Sequence, residues 1–173
     1  MKKRMLFIFN SRAGKGSIKN RLADIIDIFI KGGYEISIHS TQSYMDGLKV
    51  AKKRGGDYDI VVASGGDGTL DEIVTGLLKG GHTTPIGYIP AGSTNDFAKS
   101  LHVSKNMLQA ATDIVEGLPH AFDVGKFNDD LFVYIAAFGL FTDVSYETNQ
   151  DLKNILGHAA YILEGTQRLF NIK

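Results

Sequence analysis

Between residues 6 and 117 a short apolar run gives way, four times over, to a turn and then to apolar residues at helical spacing. Leu6-Phe7-Ile8-Phe9 stops at Asn10, as a strand buried on both faces does. The turn Asn10 to Gly16 follows, and Ser17 stands where a cap would open a helix carrying Ile18, Leu22, Ile25, Ile26 and Phe29, closed by Gly32 and Gly33. Ile36 and Ile38 alternate with polar residues in a second strand ending near Thr41. Leu48, Val50 and Ala51 then predict a short helix with a basic face, closed by Gly55 and Gly56. Ile60 to Ala63 is a third strand, followed by a helix with Leu70, Ile73, Val74, Leu77 and Leu78. A fourth strand, Ile86 to Ile89, breaks at Pro90 and leads to helices over about 94–101 and 104–117, the second capped by Ser104. Repetition of this kind predicts an α/β fold, an open parallel sheet with helices on both faces.

The pattern changes after Pro119. Phe122 to Phe127 and Leu131 to Phe138 flank Asn128-Asp129-Asp130 and read as a hairpin, and a helix is expected over 151–170. Two antiparallel strands and one helix cannot close a core. The expected division is therefore residues 1–120 as an α/β domain and residues 121–173 as the incomplete beginning of a β-rich, sandwich-like second domain. Open strand edges there predict association with another chain, for which a homodimer is the simplest form.

Composition removes several classes. The chain of 173 residues has formal net charge zero, which argues against a nucleic-acid partner, and it has no cysteine, which excludes disulfides, zinc-thiolate sites and thiol catalysis. Its thiol-free composition suits a cytoplasmic setting. Five apolar residues after the basic start are too few for a signal peptide, and no run reaches the ~18 residues of a transmembrane segment.

In an open parallel sheet, ligands bind beyond the carboxyl ends of the strands. Three polar, glycine-bearing loops are predicted there: Asn10 to Gly16, Gly65 to Thr69 and Gly92 to Asp96. Glycines admit an anion close to backbone N–H groups, and a helix N-terminus adds a favourable dipole, so the set describes a polyphosphate site. The Walker pattern fails because Phe9, not glycine, stands five residues before the Gly14-Lys15 pair, and the dinucleotide pattern fails because Lys19 and Asp71 stand where its last glycine belongs. Asp67, inside the second loop, would repel a bare polyphosphate. Either it contacts Mg²⁺ through water or it simply fills a tight turn that tolerates Asp. Thr69 is placed to cap the following helix.

The segments Asn10-Ser-Arg-Ala-Gly14, Gly65-Gly-Asp-Gly-Thr69 and Pro90-Ala-Gly-Ser-Thr-Asn-Asp-Phe97 together resemble the diacylglycerol kinase catalytic domain of bacterial lipid kinases. Sphingosine and ceramide kinases are similar in the same motifs, and the Gly-Gly-Asp-Gly-Thr block is shared with NAD kinases and, more loosely, phosphofructokinases. The resemblance extends to Phe122-Asp-Val-Gly-Lys126 and to Phe138 through Val144. It implies an ATP- and Mg²⁺-dependent kinase acting on diacylglycerol or a related lipid alcohol, peripheral to the membrane. The alternatives are an NAD kinase and a non-catalytic nucleotide-binding fragment.

The implied nucleotide contacts are Asn10, Ser11, Arg12, Ala13, Gly14, Thr41, Gly65, Gly66, Asp67, Gly68, Thr69, Leu70, Asp71, Glu72, Thr94 and Asn95. Asp67 and Asp96 would support catalysis beside the transferred phosphate, and Asp123 would join Asp67 in an indirect, water-linked metal network. Ser11 departs from the family's usual proline. The family's general base lies late in the second domain, beyond these residues, so this chain is expected to be inactive alone. The histidines (His39, His82, His102, His120, His158) show no metal-ligand spacing and read as turn or surface residues. Lys49, Lys52, Lys53 and Arg54 read as a solvated helix face more readily than as a lipid-facing one. Tyr134, Phe138, Phe141 and Tyr146 read as core packing at least as well as an acyl-chain guide.

Overall fold

A computed structural model describes residues 2–127 and 130–133. Four parallel strands lie in the order β2-β1-β3-β4, with β1 Lys3–Phe9, β2 Tyr34–Ser40, β3 Ile60–Gly65 and β4 Ile86–Pro90. Met5 to Phe9 are all buried because β1 is flanked by strands on both sides and by helices on both faces. Alternate residues divide the core. Met5, Phe7 and Phe9 join Val62 and Ile89 under α1 (Leu22–Lys31) and α5 (Met107–Glu116), where the Phe29 ring meets that of Phe7 edge-on at 5.7 Å. Leu6 and Ile8 join Val61, Ala63 and Tyr88 under α2 (Asp46–Arg54) and α3 (Asp67–Lys79), through Ala51, Leu70, Ile73 and Leu77. This is the expected α/β architecture, helices on both faces of an open parallel sheet.

The order also sets the site. From β1 the chain winds outward to β2, then returns past β1 to β3 and on to β4. The direction of winding reverses between β1 and β3, which is where ligand crevices open in such sheets.

Element starts differ from the sequence expectation in three places. Ser17 does not cap a helix: the chain enters through Gly16 in the left-handed region, makes a 3-10 turn over Ser17–Asn20, and begins α1 only at Leu22. Ile18 and Ile25 stay buried in this arrangement, so apolar spacing alone could not separate it from one continuous helix. Thr69 lies buried within α3, whose N-cap is Gly66. The cap of α5 is Asn106, whose Oδ1 accepts the N–H of Leu108 and Gln109, while Ser104 supports Asn106 one step earlier. A short helix α4 covers Asp96–Ser100.

After Gly117 the chain pairs β5 (Gly125–Phe127) with β6 (Asp130–Phe132) antiparallel, as a hairpin shorter than expected. Asp130, expected in the turn, belongs to β6, and Phe122, expected in the first strand, is exposed before β5. The expected helix over 151–170, the segment Phe138 to Val144 and the aromatics from Tyr134 onward lie outside the described residues. Among the described residues no helix is long and apolar enough to cross a membrane.

Candidate active site

The first loop is built by Asn10. Its backbone N–H donates to the Ser64 carbonyl at 2.8 Å, and its side-chain Oδ1 accepts the Arg12 N–H at 2.9 Å. That turn within the loop is the one proline would stiffen at position 11; here the Asn10 carboxamide holds it. The loop then reaches Gly14, whose φ of 55° and closeness to the third loop both demand glycine: a Cβ there would stand 2.5 Å from the Ala91 carbonyl oxygen.

The second and third loops meet backbone to backbone. The Gly65 carbonyl accepts N–H groups from Ala91 at 2.8 Å and Gly92 at 3.1 Å, and a Cβ on Gly92 would come within 2.5 Å of the Gly66 Cα. Asn95 closes the third loop on itself, its Oδ1 accepting the Gly92 N–H at 2.9 Å and its Nδ2 donating to the Gly92 carbonyl at 2.8 Å. Tyr88, which sequence reasoning missed, reaches from β4 and donates its hydroxyl to the Gly65 carbonyl at 3.1 Å. Burial, reinforced by the Asp67 carboxylate, pushes its phenol far above the usual range, so it stays a neutral donor. The lone tyrosine in an otherwise apolar strand was its only sequence signal.

Asp67 and Asp96 come together, but through the backbone. Asp67 opens α3, yet its carboxylate accepts the N–H groups of Asp96 (2.9 Å) and Phe97 (3.2 Å) at the start of α4. Asp96 is held at its own Oδ1 by Lys99 at 2.7 Å. The fourth part of the site is the turn after β2. Thr41 donates its N–H to the Phe9 carbonyl at 2.9 Å, and the Met45 N–H donates to Glu72 Oε1 on α3 at 3.1 Å. Burial raises the Glu72 carboxyl above its ordinary range, against the pull of the Met45 and Gly47 N–H groups and with a further push from Asp46 and Asp71. His39, far from idle, pairs with Asp46 at 3.0 Å across this turn. The Gln42 N–H, and next His39, hold the Asp46 carboxyl below its usual range.

Other expected site residues are placed differently. Leu70 is buried in the core, whereas Thr69 is buried with its side chain against Gly65 of the second loop. Asp71 Oδ1 accepts the Val133 N–H from the end of the hairpin at 3.2 Å. Thr94 is half-buried within the third loop, and Asp123 is exposed in the segment between α5 and β5. Among the described residues no group of three or more His, Asp or Glu stands together to hold a metal ion.

Chemically, the arrangement suits an anion. The α3 helix of 13 residues has no side-chain cap at its N-terminus, its first N–H groups lack intrahelical partners, and its dipole favours negative charge. The space beside Gly68 is open to 4 Å, while Gly14, Gly66 and Gly92 keep side chains out of the meeting point of the loops. A polyphosphate fits this cradle. Nothing among the described residues forms a metal cage made by the protein alone.

The family model for the diacylglycerol kinase catalytic domain matches residues 4–127. Diacylglycerol kinases of Staphylococcus aureus strains bovine RF122 / ET3-1 and JH9 are each 38% identical over 174 residues, covering 100% of this chain and 55% of the relative. The chain thus spans little more than half the length of the curated relatives it matches. The crystal structure of a diacylglycerol kinase from Bacillus anthracis str. Sterne has a TM-score of 0.70 at 29% identity, over 76% of this chain and 48% of that one. With its parallel sheet, its three converging glycine loops and a family match over most of its length, the chain belongs to the diacylglycerol kinase catalytic-domain family.

Proposed function

We propose that the protein uses ATP to phosphorylate diacylglycerol or a related lipid alcohol, giving a phosphatidic acid or its analogue. The observation that carries the reading is the backbone contact of the three loops at the uncapped N-terminus of α3, a cradle for a triphosphate. Residues Asn10 to Gly14, Gly65 to Gly68 and Gly92 to Asn95 would hold the phosphates, with Thr41 and Glu72 flanking them. Mg²⁺ would neutralise phosphate charge as the nucleotide's companion. Asp67 acts by fixing Asp96 and Phe97, and Asp96 and Lys99 then stand beside the cradle as a charged pair. Phosphoryl transfer is mostly positioning and charge neutralisation, which is the part this site supplies.

The acceptor and the group taking its proton belong, in this reading, to the length of the relatives not covered by this chain. Residues 1–120 would be the nucleotide domain and residues 121–173 the start of the second. The chain by itself would bind ATP and turn over little. Its expected place is cytoplasmic and peripheral to the membrane, where the lipid alcohol is met. A homodimer is the expected assembly, supported by the exposed Leu118 and Phe122 leading into the hairpin, and sedimentation as a monomer would contradict it. The test of function is transfer of labelled γ-phosphate from ATP, with diacylglycerol and NAD offered in parallel to a protein of the relatives' full length. Labelled lipid supports the reading, and label on NAD alone overturns it.

A further inference from the structure

Tyr44 is 78% exposed, whereas the described tyrosines Tyr58 and Tyr88 are buried and Tyr34 is half-buried. A single exposed aromatic needs no explanation, but the setting of this one is unusual. Its loop is pinned at both ends. Thr41 is tied to Phe9, the Gln42 N–H donates to Asp46 at 2.8 Å, and the Asp46 N–H donates to the Ser43 carbonyl at 3.2 Å. Met45, directly after Tyr44, is held in the left-handed region at φ 60°, a conformation costly for a residue with a side chain, and its N–H is fixed by Glu72. The backbone is thus held in an unfavourable form while the neighbouring ring stands out in solvent.

The position of the loop supplies a role. Glu72 belongs to α3, whose N-terminus forms the phosphate cradle, and β2 lies beside β1, so the Tyr44 loop borders the Asn10 to Gly14 loop. A nucleotide offers two chemistries, charged phosphates and a flat apolar base. The three glycine loops present only Asn, Ser, Arg, Ala, Lys, Thr, Asp and backbone, so none offers an aromatic surface for the base. Tyr44 offers one, with few rotatable bonds to order on binding.

We infer that Tyr44 is the platform on which the purine base of the bound nucleoside triphosphate stacks, an inference that rests on the nucleotide reading of the three loops. It makes the turn after β2 a determinant of nucleotide affinity, separate from the phosphate cradle.

Calorimetric titration of ATP and of inorganic tripolyphosphate into the wild-type chain, Tyr44→Ala and Tyr44→Trp tests it. Tyr44→Ala is expected to weaken ATP about 5- to 100-fold and leave tripolyphosphate unchanged. The chain has no tryptophan, so Tyr44→Trp introduces a sole indole reporter, whose fluorescence ATP should quench and tripolyphosphate should not. ATP binding equally tight in Tyr44→Ala, or an indole signal in Tyr44→Trp indifferent to saturating ATP, overturns the stacking role while leaving the cradle intact. An indole signal that responds to phosphatidylglycerol vesicles but not to ATP also overturns it, in favour of a membrane contact. Failure of the wild-type chain to bind either ligand overturns the nucleotide reading and this inference with it.

Discussion

The Asp67 carboxylate accepts the backbone N–H of Asp96 at 2.9 Å, across 29 positions of sequence, and so caps α4 from the first residue of α3. An N-terminal cap of this kind contributes about 1 kcal/mol, within a range of roughly 0.5–2. Asp67→Ala should therefore lower unfolding stability by about that amount, and Asp67→Asn, which keeps an acceptor, by less. Urea denaturation of the two variants checks this. Unchanged stability in Asp67→Ala would leave the residue without its structural role.

Gly92→Ala and Gly68→Ala form a matched pair. The first would drive a Cβ to 2.5 Å from the Gly66 Cα, backbone against backbone, whereas nothing lies within 4 Å of a Cβ at Gly68. Overpacking of this sort costs about 1–3 kcal/mol. Gly92→Ala should lose that stability and spread the second and third loops. Gly68→Ala, within a helix where alanine is preferred by up to ~1 kcal/mol, should be neutral or more stable. Thermal unfolding of both variants separates the outcomes.

Glu72 gives a pH prediction. Burial raises its folded pKa above the ordinary 4.5, so the ionised form is disfavoured in the fold. The stability tied to its protonated form is complete below pH 4.5 and lost as pH rises through the folded value. Glu72→Gln keeps an acceptor for the Met45 N–H without the buried charge. It should be as stable as wild type or more so at neutral pH, with the difference vanishing in acid below the ordinary carboxyl range, as read from denaturation midpoints across pH.

Asp46 has the opposite sign. Its carboxyl is held below the ordinary 3.8 by the Gln42 N–H and by His39. Its contribution is fully present above pH 3.8 and lost as pH falls through the lower folded value. Asp46→Asn should be less stable than wild type at neutral pH, and the two should converge in strong acid. A constant gap at every pH would mean that neither the Gln42 N–H nor His39 favours the ionised Asp46 carboxylate.

What could be read from sequence followed the range of each interaction. The strands were legible because Met5 to Phe9 and Ile60 to Ala63 are apolar on both faces, and the glycines after them marked the loops at one edge. Partners far apart in sequence were not. Nothing local to Asp67 says that its carboxylate closes on Asp96, and nothing local to Glu72 says that it fixes the Met45 turn 27 positions earlier. Helix starts failed where two polar residues competed, as at Ser104 and Asn106, because the choice depends on which oxygen the backbone geometry brings to the free N–H groups.

The most direct measurement is a crystal structure of this chain grown with saturating ATP and Mg²⁺. The polyphosphate should lie against the N-terminal N–H groups of α3, with Asn10 to Gly14 on one side and Gly92 to Asn95 on the other. Nucleotide bound away from that crevice, or a crevice left vacant at saturation, would contradict the account.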